Sequence, residues 1–392
     1  MKILQIHNFY GSSSPSGENN VVINEKEALL KQGHDVQTYY VYSDKIRNNF
    51  LRIILAAFFV PINFKQWWKI RNFAKKIRPD VIHVHNTFPL LSPFILFRLN
   101  KIAPVVMTLH NYRIFCSAGV PLMKGRSCTK CLAQDSIVPA LKNSCYRNSW
   151  FATIPVAMMI FISKYFNIWN LYVDMFIVLT PFQKKLISRW GVDESKIQLK
   201  ANFFEEINSK PYTERDNDCI FVGRLSEEKG IRDLIKAWEL LGDAAPKLII
   251  LGSGELEREI RHKTNNLNII VKGAVCQKTV AKEVGRAKLL IFPSTWFEGF
   301  PLVIGEAFAA RTPVIMSDIG SLTDIARNGD LLPVFPPNRP DLLADTILKL
   351  FSKPHILNRL SMDVYNEFKT HYEIRSNIDI LINIYKTTGV ES

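Results

Sequence analysis

The 392-residue sequence has no apolar run of the ~20 residues that a membrane-spanning helix requires, which excludes an integral helical membrane protein. It has no low-complexity tract and no short internal repeat, which excludes disordered, fibrous and solenoid classes. No leader precedes the first strand-like run, Met1-Lys2-Ile3-Leu4-Gln5-Ile6-His7, so the expected compartment is cytosolic, where disulfides do not persist. Acidic residues are scarce in one half only. Residues 1–200 hold 26 Lys and Arg against 10 Asp and Glu, a net charge of +16, while residues 201–392 carry −2. The basic half implies an anionic partner: nucleic acid, a phosphorylated substrate or an acidic membrane surface.

What is present is an alternation of apolar runs and helical patterns, repeated twice. Such alternation argues for α/β architecture with parallel sheets covered by helices. In the first half, Ile3–Ile6, Val36–Val41, Val81–His85, Val105–Leu109 and Met175–Leu179 read as strands. Polar residues sit at or just past their carboxyl ends: Asn8, His85-Asn86, His110-Asn111 and Thr180. These are the positions where α/β sheets bind ligands. A loop rich in Gly, Ser and Pro, Gly11 to Gly17, follows the first strand, and a helix from about Glu18 to Gln32 ends at Gly33. Near residue 200 the pattern restarts, after a polar stretch, Glu205 to Asp218, that reads as a linker. Strands follow at Cys219–Val222, Leu248–Leu251, Asn268–Val271, Leu289–Phe292 and Val314–Met316. The tail, Tyr372 to Tyr385, has an amphipathic pattern with Ile378, Leu381, Ile382 and Tyr385 on one side.

Two apolar segments, 51–60 and 150–162, interrupt the first half. Each is consistent with a buried core helix. Each is also consistent with an interfacial segment, the first flanked by Lys45, Arg47, Arg52, Lys65 and Lys69 with Trp67-Trp68 adjacent. In the helix before Pro79, Trp67, Ile70, Ala74 and Ile77 should face the core, leaving Lys65, Lys69, Lys75, Lys76 and Arg78 outside. Between residues 116 and 145 lie four cysteines, Cys116, Cys128, Cys131 and Cys145. Cys128 and Cys131 form a C-x2-C pair, and the set is a candidate structural zinc site; the alternative is four free thiols. Cys219 and Cys276 read as small buried apolar residues.

The second half carries the constellation with the most chemistry. Arg224 and Lys229 are two cations at a strand–helix turn, suited to a diphosphate. Gly252-Ser253-Gly254 is a weak Gly-x-Gly signal after the next strand. The stretch Ser294–Glu306 places Glu298 in the loop after a buried strand, and Pro301 at the start of a helix that carries Glu306. Exposed helix-terminal N–H groups there suit phosphate oxygens, and the two carboxylates could grip hydroxyl-rich groups. Read by themselves, they are equally two solvated glutamates.

Together, Gly223-Arg224-Leu225-Ser226-Glu227-Glu228-Lys229-Gly230, Leu251-Gly252-Ser253-Gly254 and Ser294…Glu298-Gly299-Phe300-Pro301-Leu302…Glu306 resemble the retaining glycosyltransferases of family 4, with the GT-B fold. Asp80–Asn86 and Thr108–Arg113 carry the resemblance in the first half, and the cysteine-bearing insert after His110 resembles a bacterial polysaccharide-synthesis branch of the family. It implies two Rossmann-like doubly wound domains facing a central cleft. The first, 1–200, would bind the acceptor, bear the cysteine insert 116–145, and receive the C-terminal helix 372–392. The second, 201–371, would bind the nucleotide sugar. The resemblance further implies that Arg224 and Lys229 bind the donor diphosphate, with Gly254 nearby. Glu306 would hold the ribose, Glu298 the donor sugar, with the backbone of Gly299, Phe300, Pro301 and Leu302 helping. His110 would sit near the reacting sugar, and Ser16, Gly17 and His85 on the acceptor side, although the family often has two adjacent glycines where this chain has Ser16-Gly17.

No DxD-like metal motif stands at a strand end, consistent with metal-independent transfer in which cations and helix-terminal N–H groups stabilise the leaving diphosphate. The expected partners are a nucleotide-diphosphate sugar, a lipid-linked glycan acceptor and an anionic membrane surface, with the protein peripheral on its cytoplasmic face. The expected catalytic cofactor is none. The rival readings are a sugar-nucleotide epimerase of related fold and a non-enzymatic protein that binds an anionic partner. A nucleic-acid binder is disfavoured because no zinc-finger or RNA-binding signature accompanies the charge.

Overall fold

The computed structural model describes residues 1–10, 17–44, 50–123, 125–265 and 267–389, the side chains of 50–54 excepted. Ser16, the rest of the loop from Gly11, Lys45, Arg47 and the Arg52 side chain therefore lie outside the described residues.

The chain divides into two compact units: residues 1–121, 128–201 and 377–392 in the first, and 122–127 and 202–376 in the second. The first contains strands β1 (Lys2–Phe9), β2 (Asp35–Tyr42), β3 (Val81–Val84) and β4 (Val105–Thr108). A two-stranded hairpin, β5 (Leu122–Met123) and β6 (Arg126–Ser127), belongs to the second unit, and β7 (Met175–Val178) and β8 (Ile197–Leu199) to the first. The sheet of the first unit runs β2-β1-β3-β4-β7-β8, every pair parallel. In the second unit β9 (Asp218–Val222), β10 (Lys247–Leu251), β11 (Ile269–Gly273), β12 (Leu289–Phe292), β13 (Val314–Ser317) and β14 (Val334–Phe335) form a parallel sheet ordered β11-β10-β9-β12-β13-β14. Both are doubly wound. Their central strands are mostly apolar and buried on both faces, as parallel sheets under helices require, with His83, Thr108 and Ser317 the polar exceptions.

In the second unit the order reverses between β9 and β12, which pair directly with Leu289 opposite Cys219 and Leu290 opposite Ile220. The crevice at such a switch point is where doubly wound sheets bind ligands. In the first unit the corresponding reversal lies between β1 and β3, with Ile3 opposite Val81.

The helix Gly17–Lys31 covers the first sheet with Val21, Val22, Ala28 and Leu29, and also buries Glu25 in the same stripe. Gly33 ends it at φ +82°. The helix Phe64–Ile77, capped by the Asn63 side chain, buries Ile70 and Ala74 and keeps Lys65, Lys69, Lys75, Lys76 and Arg78 in water; Trp67 and Ile77 are half-buried. Helices Phe50–Phe59 and Trp150–Tyr165 account for the two apolar segments and pack against one another. Among the described residues no helix is long and apolar enough to cross a membrane. The helix Ile374–Thr387 buries Ile378, Leu381, Ile384 and Tyr385, and from Asn377 onward it belongs to the first unit.

The stretch from Glu205 to Asp218 is irregular but tethered. Arg215, only 4% exposed, donates to the Ala287 and Ala310 carbonyls and to the Thr312 and Ser209 hydroxyls. A second tether lies at Gly305, on the helix Leu302–Ala309, where a Cβ would meet the Phe204 ring at 2.0 Å. Only glycine lets Phe204 lie there beside Phe300. Gly305→Ala must displace that ring and is expected to cost about 1–3 kcal/mol of stability, as overpacking does, measured by urea unfolding of the full chain; an unchanged midpoint would show that the ring has room to move.

Candidate functional site

In the second unit the loops after β9, β10 and β12 are stitched to one another. The Thr295 N–H donates to the Glu228 carbonyl at 2.9 Å, and the Leu225 N–H to the Ser253 carbonyl at 3.0 Å. Gly230, at φ +68°, lies so near Pro293 that a Cβ would sit 1.8 Å from its carbonyl oxygen; Gly252 stands in the same relation to Gly223. The glycines of the G-R-L…E-K-G and G-S-G motifs thus serve backbone approach.

This stitching brings Lys229, at the end of one loop, to Glu298, in the next. Lys229 Nζ lies 2.6 Å from Glu298 Oε1. The same carboxylate oxygen accepts from Ser294 Oγ at 2.8 Å and from the Trp296 indole N–H at 2.7 Å. Ser321 Oγ donates to the Glu298 backbone carbonyl at 2.7 Å. The Lys229 ammonium lies 5.3 Å from the centre of the Trp296 ring and 5.5 Å from that of Phe292. Glu298 is 6% exposed, so a carboxylate with several donors on one oxygen sits nearly out of water at the switch point. Arg224, by contrast, has an exposed side chain and pairs with Glu228 at 3.0 Å. Gly254 packs against Leu225.

Glu306 lies one turn into the helix Leu302–Ala309, for which Pro301 is the N-cap. It hydrogen-bonds Gln277 rather than the Lys229–Glu298 pair, and burial pushes its carboxyl up to about 7. Gln277 opens the helix Gln277–Val284 after β11 and was not singled out from the sequence. The signal available was its place past a strand end.

In the first unit His85, one residue past β3, and His110, two past β4, are brought together: His85 Nδ1 is 3.0 Å from His110 Nε2 with the rings stacked. Burial, aided by His85 and His7, holds the His110 imidazole well below its usual range, so it is neutral at pH 7. A small cavity of about 40 Å³ adjoins His85, Asn86, His110 and Asn111. Gly17 is the exposed first residue of its helix. Behind His85 lies Glu25, within hydrogen-bonding distance of both His83 and His85, a cluster not anticipated from the sequence. Its signal was a carboxylate inside an apolar helical stripe.

Cys116, Cys128, Cys131 and Cys145 are free thiols, and among the described residues no three of them have sulfurs within 4.8 Å of one another. Burial pushes the Cys116 thiol up to about 12 and the Cys131 thiol up to about 11. Cys219 is buried as expected, but Cys276 is exposed: it is the N-cap of the helix Gln277–Val284, where the chain turns outward.

A family model described as Glycosyltransferase Family 4 matches residues 15–204, and one described as Glycosyl transferases group 1 matches residues 202–367. An uncharacterized glycosyltransferase of Methanocaldococcus jannaschii is 26% identical over 395 residues, covering 92% of this chain and 91% of that protein. The O-antigen chain mannosyltransferase C of Escherichia coli is 24% identical over 227 residues, 56% of this chain and 59% of that one. Among solved structures, Anabaena HepE in complex with UDP aligns with a TM-score of 0.66 at 14% identity, over 99% of this chain and 100% of that one, a likeness of fold. With a family match on each unit and two parallel-sheet α/β domains of the GT-B kind, the chain belongs to the family 4 glycosyltransferases.

Proposed function

We propose that this glycosyltransferase takes a sugar from a nucleoside-diphosphate sugar and transfers it, with retention at the anomeric carbon and without a metal, to a hydroxyl of a lipid-linked glycan in cell-surface polysaccharide synthesis. The observation that carries the reading is the Lys229–Glu298 pair at the switch point of the second sheet. Lys229 is held there by a carboxylate and two aromatic rings, so a cation is in position before any diphosphate arrives. Arg224, exposed on the same loop, adds the second cation. Together with the N–H groups of Gly299, Phe300 and Leu302 they would stabilise the leaving diphosphate. Glu298 orients the donor sugar and Glu306 accepts from the ribose hydroxyls. The acceptor hydroxyl attacks the anomeric carbon on the face from which the diphosphate departs. His110, His85 and Gly17 belong to the acceptor-side unit.

The first unit also carries an amphipathic surface suited to the cytoplasmic face of a membrane. Phe58, Phe64, Trp68, Trp150 and Phe151 are exposed on helices that also present Lys65 and Lys69. Exposed aromatics beside lysines match the boundary of an anionic leaflet, where each basic residue adds ~1 kcal/mol.

Anabaena HepE binds UDP and UDP-glucose, which makes these the first donor probes. A ligand at ~100 times its Kd should add ~2.7 kcal/mol of stability, read as a rise in melting temperature. Arg224→Ala should lower kcat roughly a hundredfold, and NMR of the product should show the donor's anomeric configuration. An inverted anomer, or unchanged turnover in Arg224→Ala, rejects the mechanism.

The raised Glu306 carboxyl adds a pH dependence. Its protonated form accumulates below about 7 and accepts hydroxyl protons poorly. UDP affinity should therefore weaken as the pH falls from about 8 to about 6, and Glu306→Gln should remove that slope. An unchanged slope in the variant would exclude Glu306 as its source.

Flotation with vesicles of phosphatidylglycerol should show salt-sensitive binding that Phe58→Ser with Phe151→Ser weakens; no binding at low salt rejects the membrane surface.

A further inference from the structure

Behind His85 the first unit encloses a polar network that the transfer mechanism above does not use. Glu25 is 2% exposed. Its Oε1 lies 3.1 Å from His83 Nδ1 and 3.2 Å from His85 Nε2, and its Oε2 lies 3.7 Å from the Lys200 ammonium. Burial works against its ionisation, yet His83 and His85 hold the carboxyl well below the usual range. Gln5 donates to Oε1 from 3.4 Å, and Tyr40 donates to the Gln5 oxygen. The ring nitrogens of His83 also meet the Thr108 hydroxyl, 2.8 Å from Nε2, and the Tyr385 hydroxyl, 2.7 Å from Nδ1.

Glu25, His83 and His85 are the one group of three among the described residues whose ligand atoms lie close enough together for a metal. The surrounding donors speak for hydrogen bonding instead. The carboxylate faces an ammonium and an amide N–H, and both His83 nitrogens have hydroxyl neighbours. A divalent cation would add two charges beside Lys200.

An ionised carboxylate can only accept, so the ring nitrogen turned toward it carries the proton. At His85 that nitrogen is Nε2. The Gln5 amide nitrogen also lies 3.2 Å from it, but a charge-assisted bond is roughly twice as strong as a neutral one. Gln5 moreover has the Val22 carbonyl as another acceptor. With His85 neutral, a proton on Nε2 leaves Nδ1 bare, and the nitrogen facing Nδ1 is His110 Nε2, which then donates. His110 is then left with a bare Nδ1.

We propose that Glu25 is a positioning residue: acting through His85, it holds His110 as the Nε2–H tautomer, so that His110 offers Nδ1 to its surroundings as a hydrogen-bond acceptor. In transfer, a role that rests on the function proposed above, His110 then receives a hydrogen bond from a substrate hydroxyl and does not donate one. Second-neighbour carboxylates set histidine tautomers in this way.

Nitrogen-15 NMR of the histidines in the full chain, with His110 assigned by its loss in His110→Gln, reads the tautomer without any substrate. The readout is therefore independent of the donor reading. A single Nε2–H form is expected, and a predominant Nδ1–H form overturns the proposal. Replacing Glu25 alone would take away the carboxylate paired with the buried Lys200, so the test pairs Glu25→Gln with Lys200→Met and removes both buried charges together. In that double variant His110 should populate both tautomers, and kcat should fall roughly tenfold or more while the UDP-induced melting shift is kept. An unchanged His110 tautomer in the folded double variant overturns the proposal, as does one equivalent of tightly bound transition metal in the purified wild type that the double variant lacks.

Discussion

A single ion pair, Lys229 with Glu298, organises the second unit's strand ends. Its side chains are 16% and 7% exposed, and its atoms are 2.6 Å apart. Removing one partner of such a pair leaves an uncompensated charge in a dry setting, which typically costs 3–5 kcal/mol. The indole of Trp296 and the hydroxyl of Ser294 donate to the same carboxylate oxygen and hold it in one orientation. The pair also explains the glycines. Lys229 reaches Glu298 because the loop after β9 lies against the loop after β12, and at Gly230 that contact leaves no volume for a side chain.

The first unit contains a second buried carboxylate, placed differently. Glu25 sits within the sheet–helix interface, below the strand ends, and its partners are two imidazoles, an amide and an ammonium. Glu298 stands at the rim, where a ligand could reach it. Glu25 can act only through side chains that stand between it and the strand ends. The two carboxylates therefore have different kinds of work open to them, contact for one and orientation for the other, and burial is what separates them. Charge on the outside follows the opposite rule. The lysines of the helix Phe64–Ile77 stay in water while the apolar face beneath them is buried, so the positive charge of that helix lies on the surface.

Much of the fold was legible in the sequence. Parallel strands buried on both faces are short continuous apolar runs, and Leu248–Leu251 or Leu289–Phe292 stand out between polar turns. In the two parallel sheets the strands that escaped, Ile197–Leu199 and Val334–Phe335, are edge strands of three and two residues, too short to carry a pattern. Cys276 was misplaced because one apolar residue without periodic neighbours does not reveal whether it faces inward. The four insert cysteines suggested a metal by spacing, but spacing constrains distances along the chain and leaves the directions of the Cβ vectors open.

The sequence by itself determined that there are two doubly wound units and that the functional groups follow their strands. Hydrophobic periodicity and turn chemistry are local, and both survive in one dimension. Only the tertiary structure decided which of those groups meet. Lys229 and Glu298 are separated by 69 positions, and Glu25 stands far along the chain from His83, His85 and Lys200. No local rule links residues so distant. They are joined by strand order, which puts β12 beside β9 and β3 beside β1, and by burial, which leaves a charge no stable choice but the partner that the fold brings to it.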